Sequence, residues 1–273
     1  HCKGMILPLL LSLHCCAMSP STPPAPSHGA GSKINTRFVP PKGFVREVHQ
    51  AGTFAHWLGE QELHPEGTSV MLYNGEPKNR QDVHAAVLDI SVGKKDLQQC
   101  ADAVMRLRAE HLFAEQRYAD IHFHFTSGFN AEYSRWIKGE RIAVKGNVCS
   151  WKSGGMPKND HATLSSFMEI VFSYAGTLSL SKELKSAGTS SVQPGDVFIH
   201  GGSPGHAVIV MDVATHADGR QAFLIAQSYM PAQQIHVLKN TRRPELGAWF
   251  IFGDGDKLYT PEWTFDWSAR KRW

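Results

Sequence analysis

The chain has 273 residues, 42% of them hydrophobic and 10% aromatic, enough for a buried core and too apolar for a disordered, collagen-like or coiled-coil protein. Its formal net charge of +3 comes from the two ends, from Lys3 and Lys33 on one side and Arg270, Lys271 and Arg272 on the other. The body between them is slightly acidic, which argues against a nucleic-acid partner, and no run of 18 apolar residues is long enough to cross a membrane.

The first elements in chain order concern address. Residues 6–13 form a short apolar run, followed by Cys15, Cys16 and Ala17. This reads as a secretory signal, of lipoprotein type if Cys16 becomes the lipid-bearing residue. Residues 18–33 are rich in Pro, Ser and Gly and read as a flexible tether. The expected organisation is therefore a signal peptide over 1–17, a linker over 18–33 and one domain over 34–273. The product would be exported and held at the outer or cell membrane by a lipid anchor.

Residues 69–73 and 84–90 read as strands around the turn Asn74-Gly75. Asp96 looks like the cap of a helix over 97–113, with an apolar stripe of Leu97, Cys100, Ala101, Val104, Leu107 and Leu112. Residues 121–125 alternate as a strand, 141–144 suggest another, and 147–160 read as a loop. A second helix over 163–174 buries Leu164, Phe167, Met168, Val171 and Phe172. The last third reads as an antiparallel meander. It enters at the turn Pro194-Gly195-Asp196 and runs through 197–199, 206–213, a hairpin at Asp218-Gly219, 221–227 and 235–238. The basic residues Arg270, Lys271 and Arg272 read as a solvated tail. Helices followed by a meander predict an α+β fold.

Chemistry concentrates in residues 194–213, PGDVFIHGGSPGHAVIVMDV. His206 opens a strand behind a loop of small residues, a place where an imidazole can serve a thiol as base. The hairpin register brings Ser228 or Pro231 opposite His206, so 227–229 lies close by. Gln227 can accept the ring N–H and orient it. Cys100 falls in the first turn of the earlier helix, where the helix dipole favours a thiolate. It also lies on the apolar stripe, where a buried structural thiol is the commoner outcome. Cys100 and Cys149 are the only cysteines outside the leader, so they can also be read as one disulfide.

The 194–213 segment resembles the His half of NlpC-type, papain-like cysteine peptidases and amidases. In those enzymes the catalytic His starts the strand after a Gly-Asp turn and a Cys begins an upstream helix. The resemblance implies a single papain-like or NlpC-like α+β domain with a C-terminal antiparallel meander and packed helices. It also implies a catalytic set of Cys100, His206 and Gln227. One departure is that Phe167 would place the family's Cys at Leu164, which cannot be a nucleophile. The string Cys100 to Arg106, with Asp102 and Arg106 two and six residues on, resembles the Cys helix of some envelope NlpC-like hydrolases instead. The strings DLQQCADAVMRLRAEHL, PGDVFIHGGSPGHAVIVMDV and AQSYMPAQQIHVLKN also resemble blocks of a bacterial envelope family, domain of unknown function 4846.

The expected function is a cell-envelope cysteine amidase or peptidase acting on peptidoglycan or another peptide, with no cofactor. One alternative is a non-catalytic envelope binding protein on a degenerate hydrolase fold. Another is a metal-dependent hydrolase in which His122 and His124, two residues apart on one strand face, bind an ion with His84 or an acid.

Overall fold

The apolar runs of the last third pair into one antiparallel sheet of nine strands. These are β1 (Phe44–Arg46), β2 (His84–Val87), β3 (Lys185–Ser186), β4 (Val197–His200), β5 (His206–His216), β6 (Gln221–Gln227), β7 (His236–Leu238), β8 (Phe250–Ile251) and β9 (Arg270–Arg272). Their order is β2-β7-β6-β5-β4-β9-β3, with β1 pairing the far end of β5 and β8 pairing β6. The computed structural model describes Gly29 and residues 31–273. The signal peptide expected over 1–17 and nearly all of the linker expected over 18–33 thus lie outside the described residues. The end of that linker is packed, since Ser32 accepts from the Leu63 amide at 2.7 Å and Lys33 pairs with Glu60 at 2.8 Å.

Every residue of β6 is buried, because the sheet is covered on both faces. Ala207, Ile209, Met211, Ala222, Leu224 and Ala226 face the main core, and Val208, Val210, Phe223 and Ile225 face a second cluster. A β-bulge breaks the alternation: Leu224 pairs with Asp212 and Ile225 with Val210, leaving Met211 unpaired. Val213 is thereby returned to the face of Val208 and Val210. Small residues on β5 and β6 let α2 (Cys100–Ala114) lie close along β5, with α1 (Phe54–Gly59) beside it. The helix α3 (His161–Tyr174) packs on α2, and α4 (Thr177–Glu183) packs on β4. The opposite face is closed by the hairpin Lys257–Tyr259 with Thr264–Asp266, whose Leu258 and Phe265 complete the second cluster. The fold is α+β, as expected.

Several expectations change. Helix α2 starts at Cys100 and not at 97. Asp96 is used elsewhere, accepting from the Ala232 amide at 2.7 Å. The Asp102 carboxyl instead meets the Gln99 amide at 3.0 Å and closes the first turn. Part of the expected loop 147–160 is the strand Val148–Ser153, paired with Glu140–Lys145. Its half-exposed, polar sequence hides the pattern. Residues 69–73 make isolated bridges only.

The basic tail is the largest surprise. Arg270, Lys271 and Arg272 form β9, inserted between β4 and β3. The Arg270 guanidinium is fully buried and pairs with Asp196, which also takes Arg272 Nε at 2.8 Å. The Asp of the Gly-Asp turn, with Gly195 at φ +92°, is therefore the anchor of a late strand.

Candidate functional site

The site lies where β5 begins and β6 has just ended, against the N-terminus of α2. His206 Nε2 and Gln227 Oε1 are 2.8 Å apart and buried. Two of the three expected site residues are thus in direct contact. With the bulge at Met211, the hairpin register falls between the two foreseen, and the residue brought against His206 is Tyr229, ring centroids 4.6 Å apart. Gln227 lies two residues before Tyr229 and reaches His206 diagonally.

Cys100 is the first residue of α2, where backbone amides lack intrahelical partners. The Ala101 and Ala207 amides both favour its thiolate, which places the sulfur beside the residue that follows His206. The helix that lies along the His strand is α2, so Leu164 on α3 is not the position at issue; it is a fully buried core residue. Cys100 and Cys149 are both free, so no disulfide links them. Cys149 lies on the hairpin strand Val148–Ser153, 3.8 Å from the Ser127 hydroxyl.

The electrostatics differ from expectation. Burial pushes the Cys100 thiol up to about 11, and the charge of Asp102 adds to this. The dipole and the two amides do not offset the loss of water. Asp102 is itself raised to about 8 by burial, with Oδ1 unpartnered. Burial likewise lowers His206 to about 4, against the opposing hydrogen bond that the ring donates to the Gln227 oxygen. At neutral pH the thiol and the imidazole therefore both rest uncharged.

Beyond Gln227 the network continues. Its Nε2 donates to Glu262 Oε2 at 2.7 Å, and Glu262 Oε1 takes Lys78 Nζ at 2.5 Å. Gln227 Nε2 also lies 3.4 Å from His236 Nε2, while His236 Nδ1 lies 2.9 Å from the Gln234 carbonyl. His236 is wholly buried and lowered to about 3, so it stays neutral. Lys78, His236 and Glu262 are absent from the sequence reading, as are the covering rings. Trp263 and Phe265 lie 5.4 and 6.0 Å from the His206 ring. Together with Tyr229 they leave His206 1% exposed, although it stands at the start of a strand behind a loop of small residues. The glycine loop before it is held against α4, with Thr177 Oγ1 donating to the Gly202 carbonyl at 3.1 Å. A Cβ on Gly205 would come within 2.4 Å of that hydroxyl.

His122 and His124 do share a strand face, and both approach Glu183, at 3.8 and 3.5 Å. No group of three or more His, Cys, Asp or Glu side chains suited to a metal ion occurs among the described residues. A cleft of about 610 Å³ lies at the β2 edge, lined by Glu66, Gln81, His84 and Lys239 among others; neither Cys100 nor His206 lines it.

These features define an α+β protein with a buried cysteine at the start of a helix and, at the start of the strand along which that helix lies, a histidine held by a glutamine. The chain belongs to the family described as domain of unknown function (4846), whose model matches residues 34–272. No curated protein and no solved structure gives a significant match.

Proposed function

We propose that the protein is a cysteine amidase or peptidase of papain-like or NlpC-like character, working in the cell envelope on peptidoglycan or related peptides. The observation that carries this is the 2.8 Å contact of His206 with Gln227 at the mouth of the strand that α2 presses Cys100 against. The envelope address and the lipid anchor rest on the leader, residues 1–17, and the peptide substrate on the family resemblance.

In this reading Cys100 Sγ attacks the amide carbonyl carbon while His206 Nδ1 takes the thiol proton. The proton then passes to the leaving amine as the C–N bond breaks and a thioester forms. Water, deprotonated by the same nitrogen, hydrolyses the thioester and returns the thiol. Because thiol and imidazole rest neutral, proton transfer accompanies attack and no ion pair waits in advance. The free amides of the first turn of α2 are the donors nearest the developing oxyanion, a contribution worth roughly 3–4 kcal/mol where such a donor is well placed. Entry of a peptide requires Tyr229 or Trp263 to move off His206.

Cleavage of peptidoglycan fragments by the wild type, abolished in both Cys100→Ala and His206→Ala with the fold intact, is the expected result. Undiminished cleavage in Cys100→Ala would overturn the mechanism. The second reading, a binding protein on an inactive hydrolase frame, draws on the closure of His206 and the raised thiol. It predicts fragment binding without turnover in the wild type, equal in Cys100→Ala.

A further inference from the structure

The amide of Gln227 faces three neighbours, and its orientation decides what His206 can do. A carboxylate such as Glu262 only accepts hydrogen bonds. The imine nitrogen of His236 also accepts, because its other nitrogen is turned to the Gln234 carbonyl at 2.9 Å. Both neighbours therefore demand the NH2 end of Gln227, at 2.7 Å for Glu262 and 3.4 Å for His236. Only the oxygen is left for His206, which must then carry its proton on Nε2. That leaves Nδ1 with its lone pair, and among the described residues Nδ1 makes no hydrogen bond. Lys78, 2.5 Å from Glu262 and buried with it, keeps the carboxylate in place.

From this chain we infer that Glu262 is a positioning residue. By fixing the rotation of the Gln227 amide, it selects the Nε2–H tautomer of His206 and frees Nδ1 to act as the base. That Nδ1 serves Cys100 rests on the hydrolase reading; the tautomer itself does not. Glu262 hydrogen-bonds to neither the thiol nor the imidazole; its charge also raises His206 directly, but the choice of tautomer travels through one amide group.

Substitution Glu262→Gln tests this sharply. Lys78 would hold the new amide oxygen, turning the new NH2 toward Gln227. The partner at 2.7 Å outweighs His236 at 3.4 Å, so the Gln227 amide would rotate, present NH2 to His206, and draw the His206 proton to Nδ1. Long-range 1H–15N correlation spectra of the 15N-labelled full chain report which ring nitrogen carries the proton. The wild type should show His206 as Nε2–H. In Glu262→Gln the ratio of Nε2–H to Nδ1–H should fall at least about tenfold, equivalent to about 1.4 kcal/mol. Glu262→Asp should restore the wild-type tautomer. Should Glu262→Gln not fold, Glu262→Ala gives the weaker form of the test, a mixture of tautomers. A wild-type His206 protonated on Nδ1 overturns the inference, and so does an unchanged tautomer in a folded Glu262→Gln. A tautomer shift in a protein that cleaves no peptide would sustain the inference and remove the hydrolase reading.

Discussion

Two buried polar networks sit on the same sheet, and they end differently. At the Gly-Asp turn, the Asp196 carboxylate meets Arg270, Arg272 Nε at 2.8 Å, Arg272 Nη2 at 2.9 Å and the Gln193 amide at 3.1 Å. Both oxygens are in use, and every partner belongs to the fold. At the start of β5, the chain Lys78–Glu262–Gln227–His206 runs inward with every link made, then stops at a ring nitrogen without a partner. A network whose acceptor oxygens are all taken by the fold holds strands together, here with the Arg270 Nε donor left over. An open one keeps a proton site in reserve, at the cost of burying a histidine that has to stay neutral.

The comparison breaks most severely at Asp196. Asp196→Ala leaves the Arg270 guanidinium buried without its counter-charge and should cost about 3–5 kcal/mol in urea unfolding. A loss below about 1 kcal/mol would show that β9 is not held by this pair.

The open network leaves the Cys100 thiol outside its hydrogen bonds, and that thiol can be probed by itself. With Cys100 pushed up to about 11, its alkylation by iodoacetamide should climb about tenfold per pH unit from neutrality to about pH 10. A plateau below pH 8 in peptide mapping would reveal a thiolate already formed at rest, contrary to a thiol that burial keeps neutral.

Its histidines set a pH window. His206 at about 4 and His236 at about 3 are both below the ordinary value of 6.5, so unfolding takes up protons. Their contribution to stability is complete above pH 6.5 and is lost as pH falls toward 3–4, by up to about 1.4 kcal/mol per pH unit for each. Urea midpoints of the wild type should therefore fall relative to His236→Gln between pH 6.5 and 4. Parallel profiles would contradict the burial of a neutral ring.

The smallest effect marks the boundary of the comparison. His122 and His124 are 44% and 43% exposed, so replacing both by Ala should change stability by no more than about 0.5 kcal/mol. Melting curves with and without zinc should coincide. A zinc-dependent rise that the double variant abolishes would establish a metal site there.

What the sequence reveals follows from how local the information is. The contact of His206 with Gln227 is legible because a hairpin turn and period-2 alternation set it, and it survives the Met211 bulge because two residues on one face reach across a diagonal. The placement of Cys100 at a helix start is legible for the same reason. Its protonation is not, because burial depends on Tyr229 and β5, which arrive from another part of the chain. Lys78 and Glu262 are 184 residues apart in sequence and come from irregular segments with no periodicity to read. Arg270–Arg272 looks like a tail because a short basic run usually meets water, and its partner Asp196 lies 74 residues upstream of Arg270. The helix cap shifts from Asp96 to Asp102 because the Ala232 amide competes for the Asp96 carboxylate.

The placement of β9 has a consequence for the order of assembly. Strand β4 is made some 70 residues before the strand that lies against its outer side. During that interval its free backbone edge is open to any passing strand, and the Asp196 carboxylate has no guanidinium to meet. A polypeptide built this way completes its sheet only once synthesis has passed residue 272, so this edge is closed last of all.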